Sequence, residues 1–313
     1  MSGAAFRVEA PGLLTTIQDL GRPRHRFAGV APGGAMDRFA ASAANLLAGN
    51  EEGAPLLEAT VAGPVLVAEQ PLRAAVAGGD FAVRLNGDEI PNWCSFDLRA
   101  GDKLDLRERR AGARCYLALA GGGFGADRWL GSAATYLLVG RGGFAGRPLR
   151  TGDVLEAAGA PAGSAPLESL AESLRPDYTH ELTAIEGPQL RNLLPESRKR
   201  LFKQMFHVKH QADRMAYRLE AEPPLEMRPA DLLSFGVAPG CVQVPPSGEP
   251  ILLMADHQTA GGYPVVATVA RASLPAAAQL LPGHEVGFRR VTVEAAVAEW
   301  RRLRLALETL RPS

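Results

Sequence analysis

A mainly β chain with a few helices, arranged as two β-rich domains in tandem, is the fold class this sequence predicts. Three observations carry that expectation. The 313 residues exceed what one small core organises, and length alone suggests about two domains. Short runs of branched and aromatic residues recur at close spacing between Gly, Pro and Asn turns, which points to barrels or sandwiches rather than a parallel βαβ sheet. The halves also echo each other: Asp37-Arg38 is matched by Asp213-Arg214, and Thr151-Gly-Asp-Val-Leu155 by Pro282-Gly-His-Glu-Val286. The small-residue stretch from Ala157 to Pro166 reads as a flexible linker, which places the domains at 1–165 and 166–313, with a cleft expected between them.

The elements follow in order. Phe6 to Arg22 reads as a strand, a Pro11-Gly12 turn and a second strand that ends in the polar group Gln18, Asp19 and Arg22. Met36, Phe39, Ala40, Ala43 and Leu47 fall on one helical face, and Gly49-Asn50 stops that helix. Gly33 and Gly34 precede it, where unpaired N–H groups could hold an anion, while Asp37 could simply complement the helix dipole. Strands are expected at 57–61, 65–67, 74–77, 81–85 and 103–106, with Asn86-Gly87 signalling a tight type I′ hairpin. Gly121 to Gly125 and Gly140 to Gly146 are glycine-rich, yet neither leads into GK[ST] or opens a helix within a βαβ unit, so both read as turns. Arg198 to Lys203 reads as a solvated helix face. The chain ends in a helix whose apolar stripe is Val293, Val297, Trp300, Leu303, Leu307 and Leu310.

Composition narrows the function classes. Lys plus Arg and Asp plus Glu both number 34, so no net charge draws the chain to nucleic acid or an anionic membrane. No apolar run approaches the length of a membrane span, and the first residues lack a basic segment followed by an apolar one, so a soluble cytoplasmic protein is expected. Cys94, Cys115 and Cys241 are scattered and never form a CxxC pair, which suggests neither a disulfide framework nor a cysteine metal site. Cys115 lies in an apolar strand and reads as a buried small hydrophobe.

The densest chemistry lies in Asp256-His-Gln-Thr-Ala-Gly-Gly-Tyr-Pro264, between the strand-like runs Ile251 to Met254 and Val265 to Val269. An acid, an imidazole, an amide, a hydroxyl and a phenol surround two glycines whose freedom at positive φ could aim main-chain N–H groups at an anion or carbonyl oxygen. A hairpin loop whose polar groups merely face water is the competing reading.

Several stretches together resemble a known family. They are Thr15 to Arg22, Gly33-Gly-Ala-Met-Asp37, Ala44 to Asn50, Gly131-Ser132, Asp213-Arg-Met215, Gln243-Val-Pro-Pro-Ser-Gly248 and Asp256 to Pro264. Their order and spacing resemble the biotin-dependent carboxyltransferase, or allophanate hydrolase subunit 2, family, which includes the C-type subunit of 5-oxoprolinase and the carboxyltransferase region of urea carboxylase. The resemblance runs nearly end to end. It implies two cyclophilin-like β-barrel domains, a B-type partner chain and, for a 5-oxoprolinase, a third subunit. The activity implied is opening of 5-oxoproline to glutamate, with ATP used by the complex. Alternatives within the resemblance are transfer of CO2 from carboxybiotin to urea or a similar amide, and a regulatory subunit of the kinase-inhibitor antagonist type that mainly grips its partner. Two departures stand out: Thr259 is followed by Ala260 where the family commonly has a second threonine, and no Met-Lys-Met biotinyl site is present, so biotin would arrive on another protein.

Under this reading Asp256 or His257 moves a proton, while Gln258 and Gln243 each bond an amide in two directions. Gly261 and Gly262 supply oxyanion donors, and Thr259 and Tyr263 orient the ligand. Gln18, Asp19, Arg22 and Asp37 contact the substrate if the N-terminal domain closes over the loop. No metal site and no covalently bound cofactor are expected.

Overall fold

The computed structural model describes residues 3–159, 168–229 and 232–311, so most of the small-residue stretch before position 168 lies outside the described residues. The chain divides into two compact units. The first comprises Met1–Arg22, Gly33–Arg175 and Arg304–Ser313, and the second comprises Pro23–Pro32 and Pro176–Leu303. Both are β-rich.

In the first unit, two antiparallel sheets enclose one apolar core. One sheet runs in the order Val154–Glu156, Ala4–Ala10, Val65–Ala68, Lys103–Asp105, Arg84–Leu85 and Asp88–Glu89. The other runs Leu14–Gln18, Leu56–Thr60, Arg109–Leu119, Leu72–Phe81 and Cys94–Leu98. Phe6, Ile17, Leu57, Leu66, Phe81, Leu104 and Leu117 fill the space between them. At the expected hairpin, Asn86 (φ 55°) and Gly87 (φ 97°) both take the left-handed conformation that a type I′ turn requires. Gly121, Gly122, Gly123, Gly140, Gly142, Gly143 and Gly146 all have positive φ, so the two glycine-rich stretches are turns. Burial pushes the Cys115 thiol up to about 12, in keeping with a packed hydrophobe rather than a nucleophile.

Helix α1, Arg38–Leu47, begins where the Asp37 carboxylate accepts the Ala40 N–H at 2.9 Å. Nine of its ten residues are buried, among them Phe39, Ala40, Ala43 and Leu47. Beyond it, Gly49 takes φ 78°, Asn45 donates to the Ala54 carbonyl of the following loop at 2.9 Å, and Asn50 donates to the Leu119 carbonyl at the end of strand Arg109–Leu119 at 2.8 Å. The asparagines of the 44–50 motif are therefore fasteners.

The second unit is built on a closed seven-stranded barrel: Glu181–Glu186, Val265–Val269, Cys241–Gln243, Ile251–Leu253, Ala216–Glu220, Phe206–Ala212 and Glu285–Arg290. Its pairs are antiparallel except at the closure, where Glu181–Glu186 runs parallel to Glu285–Arg290. Phe206, Val208, Tyr217, Leu219, Leu252, Val286 and Phe288 are buried at alternate positions, as the period of a strand demands. A two-stranded ladder, Phe235–Gly236 with Ala260–Gly261, forms a separate sheet. Helix α2, Pro195–Leu201, buries Ser197 and Leu201 and turns its basic residues outward, and helix α3 is Leu274–Ala278.

Helix α4, Val293–Glu308, follows its expected stripe for only part of its length. Leu303 and Leu307 are buried, but Val293 is 56% and Val297 41% exposed. Trp300 is covered instead by the Arg271 guanidinium, 4.1 Å above its ring. Near the end of α4, Arg304 makes a bidentate pair with Glu52 at 2.7 and 3.0 Å, and Arg311 adds a third bond at 2.6 Å. Among the described residues no helix is long and apolar enough to cross a membrane.

Candidate functional site

Four residues singled out from the sequence lie in the first unit and are committed to its own packing. The Asp19 carboxylate accepts from the Gly21 N–H at 2.6 Å, the Ser132 hydroxyl at 2.7 Å and the Ala133 N–H at 2.6 Å. The Arg22 guanidinium donates to the carbonyls of Trp129 and Ala134 and lies over the rings of Trp129 and Tyr136. Gln18, fully buried, donates to Thr16 Oγ1 and the Thr135 carbonyl. Asp37 is fully buried as the cap of α1.

The N–H groups that follow Gly33-Gly34 are taken by the chain itself. Ala35 N donates to the Asp19 carbonyl, Met36 N to Glu58 Oε2 and Asp37 N to the Tyr116 hydroxyl. At Gly34 (φ 88°), a Cβ would sit 2.7 Å from the Gly21 nitrogen, so glycine is needed there for backbone approach. A buried network of Glu58, Tyr116 and Asp37 clamps the segment, and burial with both carboxylates beside it holds the Tyr116 phenol well above its usual range.

The remaining eight residues gather in the second unit, where strand Ile251–Leu253 leaves the barrel and the chain returns as Val265–Val269. Asp213 Oδ1 accepts the N–H groups of Met215 and Ala216, fixing a turn. That turn presents Arg214 to Asp256 in a buried fork, Nε to Oδ2 at 2.8 Å and Nη2 to Oδ1 at 3.2 Å. The Asp256 N–H returns a bond to the Arg214 carbonyl at 2.8 Å. Asp256 is thereby held by Arg214 as an anchor of the loop.

His257 has no solvent exposure. Its Nδ1 faces the Gln258 carbonyl, which can only accept, so Nδ1 carries the proton and Nε2 the lone pair. Nε2 is buried and has no partner among the described residues. Burial holds the imidazole pKa below its ordinary value and the Arg26 charge adds to that, against opposing effects of the Gln258 carbonyl and Asp256. The ring is a neutral acceptor at pH 7.

The glutamines are less free than their chemistry allows. Gln258 Nε2 donates to Gln243 Oε1 at 3.2 Å, and Gln243 Nε2 donates to the Tyr263 carbonyl at 3.1 Å. Gln243, almost fully buried, is fixed through its Nε2 by the Tyr263 carbonyl and orients the exposed Gln258 through its Oε1. Gln258 Oε1 has no partner among the described residues.

Neither Gly261 nor Gly262 has positive φ, contrary to expectation. A Cβ at Gly261 would lie 3.0 Å from Gln243 Nε2, so any larger residue there would press on the Gln243 amide. It belongs to the short ladder with Phe235, and the Thr259 carbonyl extends that ladder by accepting the Val237 N–H at 3.1 Å. Gly262 is exposed, as is the Tyr263 side chain at 47%. One residue of this neighbourhood escaped the sequence reading. Arg26, on the short 3-10 helix Pro23–Ala28, donates through Nη2 to the Val237 carbonyl, while its Nε is buried with no partner among the described residues. Among the described residues no group of three or more His, Cys, Asp or Glu side chains could hold a metal ion.

The family model "Carboxyltransferase domain, subdomain A and B" matches residues 28–290. The chain is 34% identical to the C-type subunit of 5-oxoprolinase from Escherichia coli (strain K12) over 292 residues, covering 93% of this chain and 93% of that protein. It is 33% identical to the corresponding 5-oxoprolinase chain of Haemophilus influenzae, covering 95% of this chain and 94% of that one. The crystal structure of the K. lactis urea amidolyase superposes with a TM-score of 0.91 at 26% identity, covering 100% of this chain and 20% of that one. A match over most of the length, together with this fold, places the chain in the carboxyltransferase domain, subdomain A and B, family.

Proposed function

We propose that this chain is the C-type subunit of a 5-oxoprolinase, acting with partner chains to open the cyclic amide of 5-oxoproline to glutamate. The observation that carries the reading is likeness to two C-type 5-oxoprolinase chains over more than nine-tenths of each length. The loop chemistry supports it. Lactam opening requires the ring nitrogen to receive a proton as it leaves and the carbonyl oxygen to be held as it gains charge. His257, a neutral base with its lone pair on Nε2, takes the proton of an attacking water and passes it to the leaving nitrogen, and the exposed Gln258 Oε1, steadied through Gln243, orders that water. Two glutamines, an imidazole and main-chain carbonyls match the edge of a planar amide rather than a polyphosphate. ATP is therefore assigned to the partner chains, and no step on this chain is routed through it or through biotin.

A second reading, CO2 transfer to urea or a similar amide, is favoured by the close superposition on the urea amidolyase, of which this chain spans about a fifth. The test is ATP-dependent glutamate release from 5-oxoproline by the complex purified with its partner chains. Gln258→Ala should lower the rate about tenfold or more, the scale of one lost oriented hydrogen bond. A complex that instead carboxylates urea when given a biotinylated carrier would replace the first reading with the second.

A further inference from the structure

Besides the side-chain amide of Gln204, the second unit contains two buried polar atoms of opposite kind with no partner among the described residues: the Nε–H of Arg26, a donor, and Nε2 of His257, an acceptor. A continuous bonded path joins their surroundings. Arg26 Nη2 holds the Val237 carbonyl, the Val237 N–H holds the Thr259 carbonyl, and Thr259 lies two residues beyond His257. After burial, the Arg26 charge is the other influence that holds the His257 pKa down. Because both atoms lack partners among the described residues, they do not bond each other. Leaving a buried donor and a buried acceptor unmet costs free energy on each side, so the pair calls for one guest that accepts from the guanidinium and donates to the ring.

We propose that Arg26 and His257 together read the edge of a cis amide, the guest's carbonyl oxygen accepting from Arg26 Nε–H and its N–H donating to His257 Nε2. The inference rests on the reading of this loop as the amide site and narrows its ligand class. In a ring amide the carbonyl and N–H are held on the same side of the C–N bond and form one donor–acceptor edge. In an open-chain secondary amide the bond is trans, and the two groups point in opposite directions. A five-membered lactam presents the required edge, and so does a cyclic ureido ring; a linear peptide does not. The geometry also divides the labour: Arg26 faces the oxygen that gains charge, and His257 faces the nitrogen. Both atoms are shielded from water.

The experiment is ligand binding to the full chain by ligand-observed NMR, with four small probes: 2-pyrrolidinone, 2-imidazolidinone, N-methyl-2-pyrrolidinone and N-methylacetamide. The first two carry the cis edge, the third lacks the N–H, and the fourth is trans. Wild type should bind the first two about tenfold more tightly than the last two, the scale of one charge-assisted or buried hydrogen bond. Arg26→Leu and His257→Leu should each abolish that preference. Arg26→Lys and His257→Gln, which restore a donor and an acceptor, should return part of it. Preference for 2-pyrrolidinone over 2-imidazolidinone assigns the edge to a lactam substrate and the reverse to a ureido ring; both uphold the cis edge. Equal binding of 2-pyrrolidinone and its N-methyl derivative by wild type, a comparison that needs no folded variant, would overturn the proposal and leave only a water bridge between the two atoms. Selectivity that holds while the purified complex releases no glutamate removes the 5-oxoprolinase reading and leaves the edge assignment standing.

Discussion

A neutral imidazole sealed inside a fold makes that fold sensitive to acid. The His257 pKa lies below its ordinary value, so the unfolded chain binds a proton there that the native chain does not. The stability this supplies is complete above the unfolded value near 6.5 and is lost as pH falls through the lower native value. Thermal melts between about pH 5 and 7.5 should show wild type losing stability with acid more steeply than His257→Leu; parallel curves would contradict the assignment. Arg214 permits a second test. Arg214→Met strips the buried Asp256 of its fork and should cost about 3–5 kcal/mol in urea unfolding, because a lone buried charge remains. The sequence revealed that Asp19, Asp37 and Asp256 matter, but not for what. A carboxylate that can hold a ligand's N–H can equally hold a main-chain N–H, and here the chain's own backbone and Arg214 take these groups. Arg26 was invisible because it stands among other basic residues in a loop without periodicity, and only the fold brings it to Val237.

Secondary structure was most legible where local chemistry decides it. Asn86-Gly87 dictates its own turn, and Asp37 with the apolar spacing after it dictates α1. Substituting Phe39, which α1 buries fully, by Ala should cost about 3–5 kcal/mol by the cavity it leaves, read from the urea midpoint. Helix α4 was only half legible. Periodicity states which face of a helix could be buried, but not that a partner runs its full length, and Val293 and Val297 remain in water. What fastens its far end is charge. The guanidiniums of Arg304 and Arg311 hold the Glu52 carboxyl at about 2, so its contribution is complete above pH 4.5 and lost only as pH falls through that low value. Glu52→Gln should therefore lower the melting temperature by a few degrees, about 1 kcal/mol after solvent screening, with the difference still present at about pH 3. A difference that vanished by pH 4 would mean that the clamp is weaker than its geometry.

At the scale of the whole molecule, equal numbers of acidic and basic residues predict weak, unspecific electrostatics. The chain should pass a heparin column at about 0.05 M salt, whereas a salt-dependent retention would expose a basic face that the totals conceal. The β-rich class and the presence of two compact units follow from spacing and length. The order of strands around the barrel does not, because pairing partners far apart in sequence are chosen by the core they share. The seam of the barrel makes this concrete. Glu181–Glu186 and Glu285–Arg290 lie side by side in register, Glu181 opposite Gly287, though about a hundred residues separate them. During synthesis the earlier of these strands must wait for the later one to clear the ribosome, and until then it presents a bare edge to any neighbouring nascent chain. Expression yield should therefore respond sharply to truncations just before Glu285, and chaperone demand should peak in the last stretch of translation.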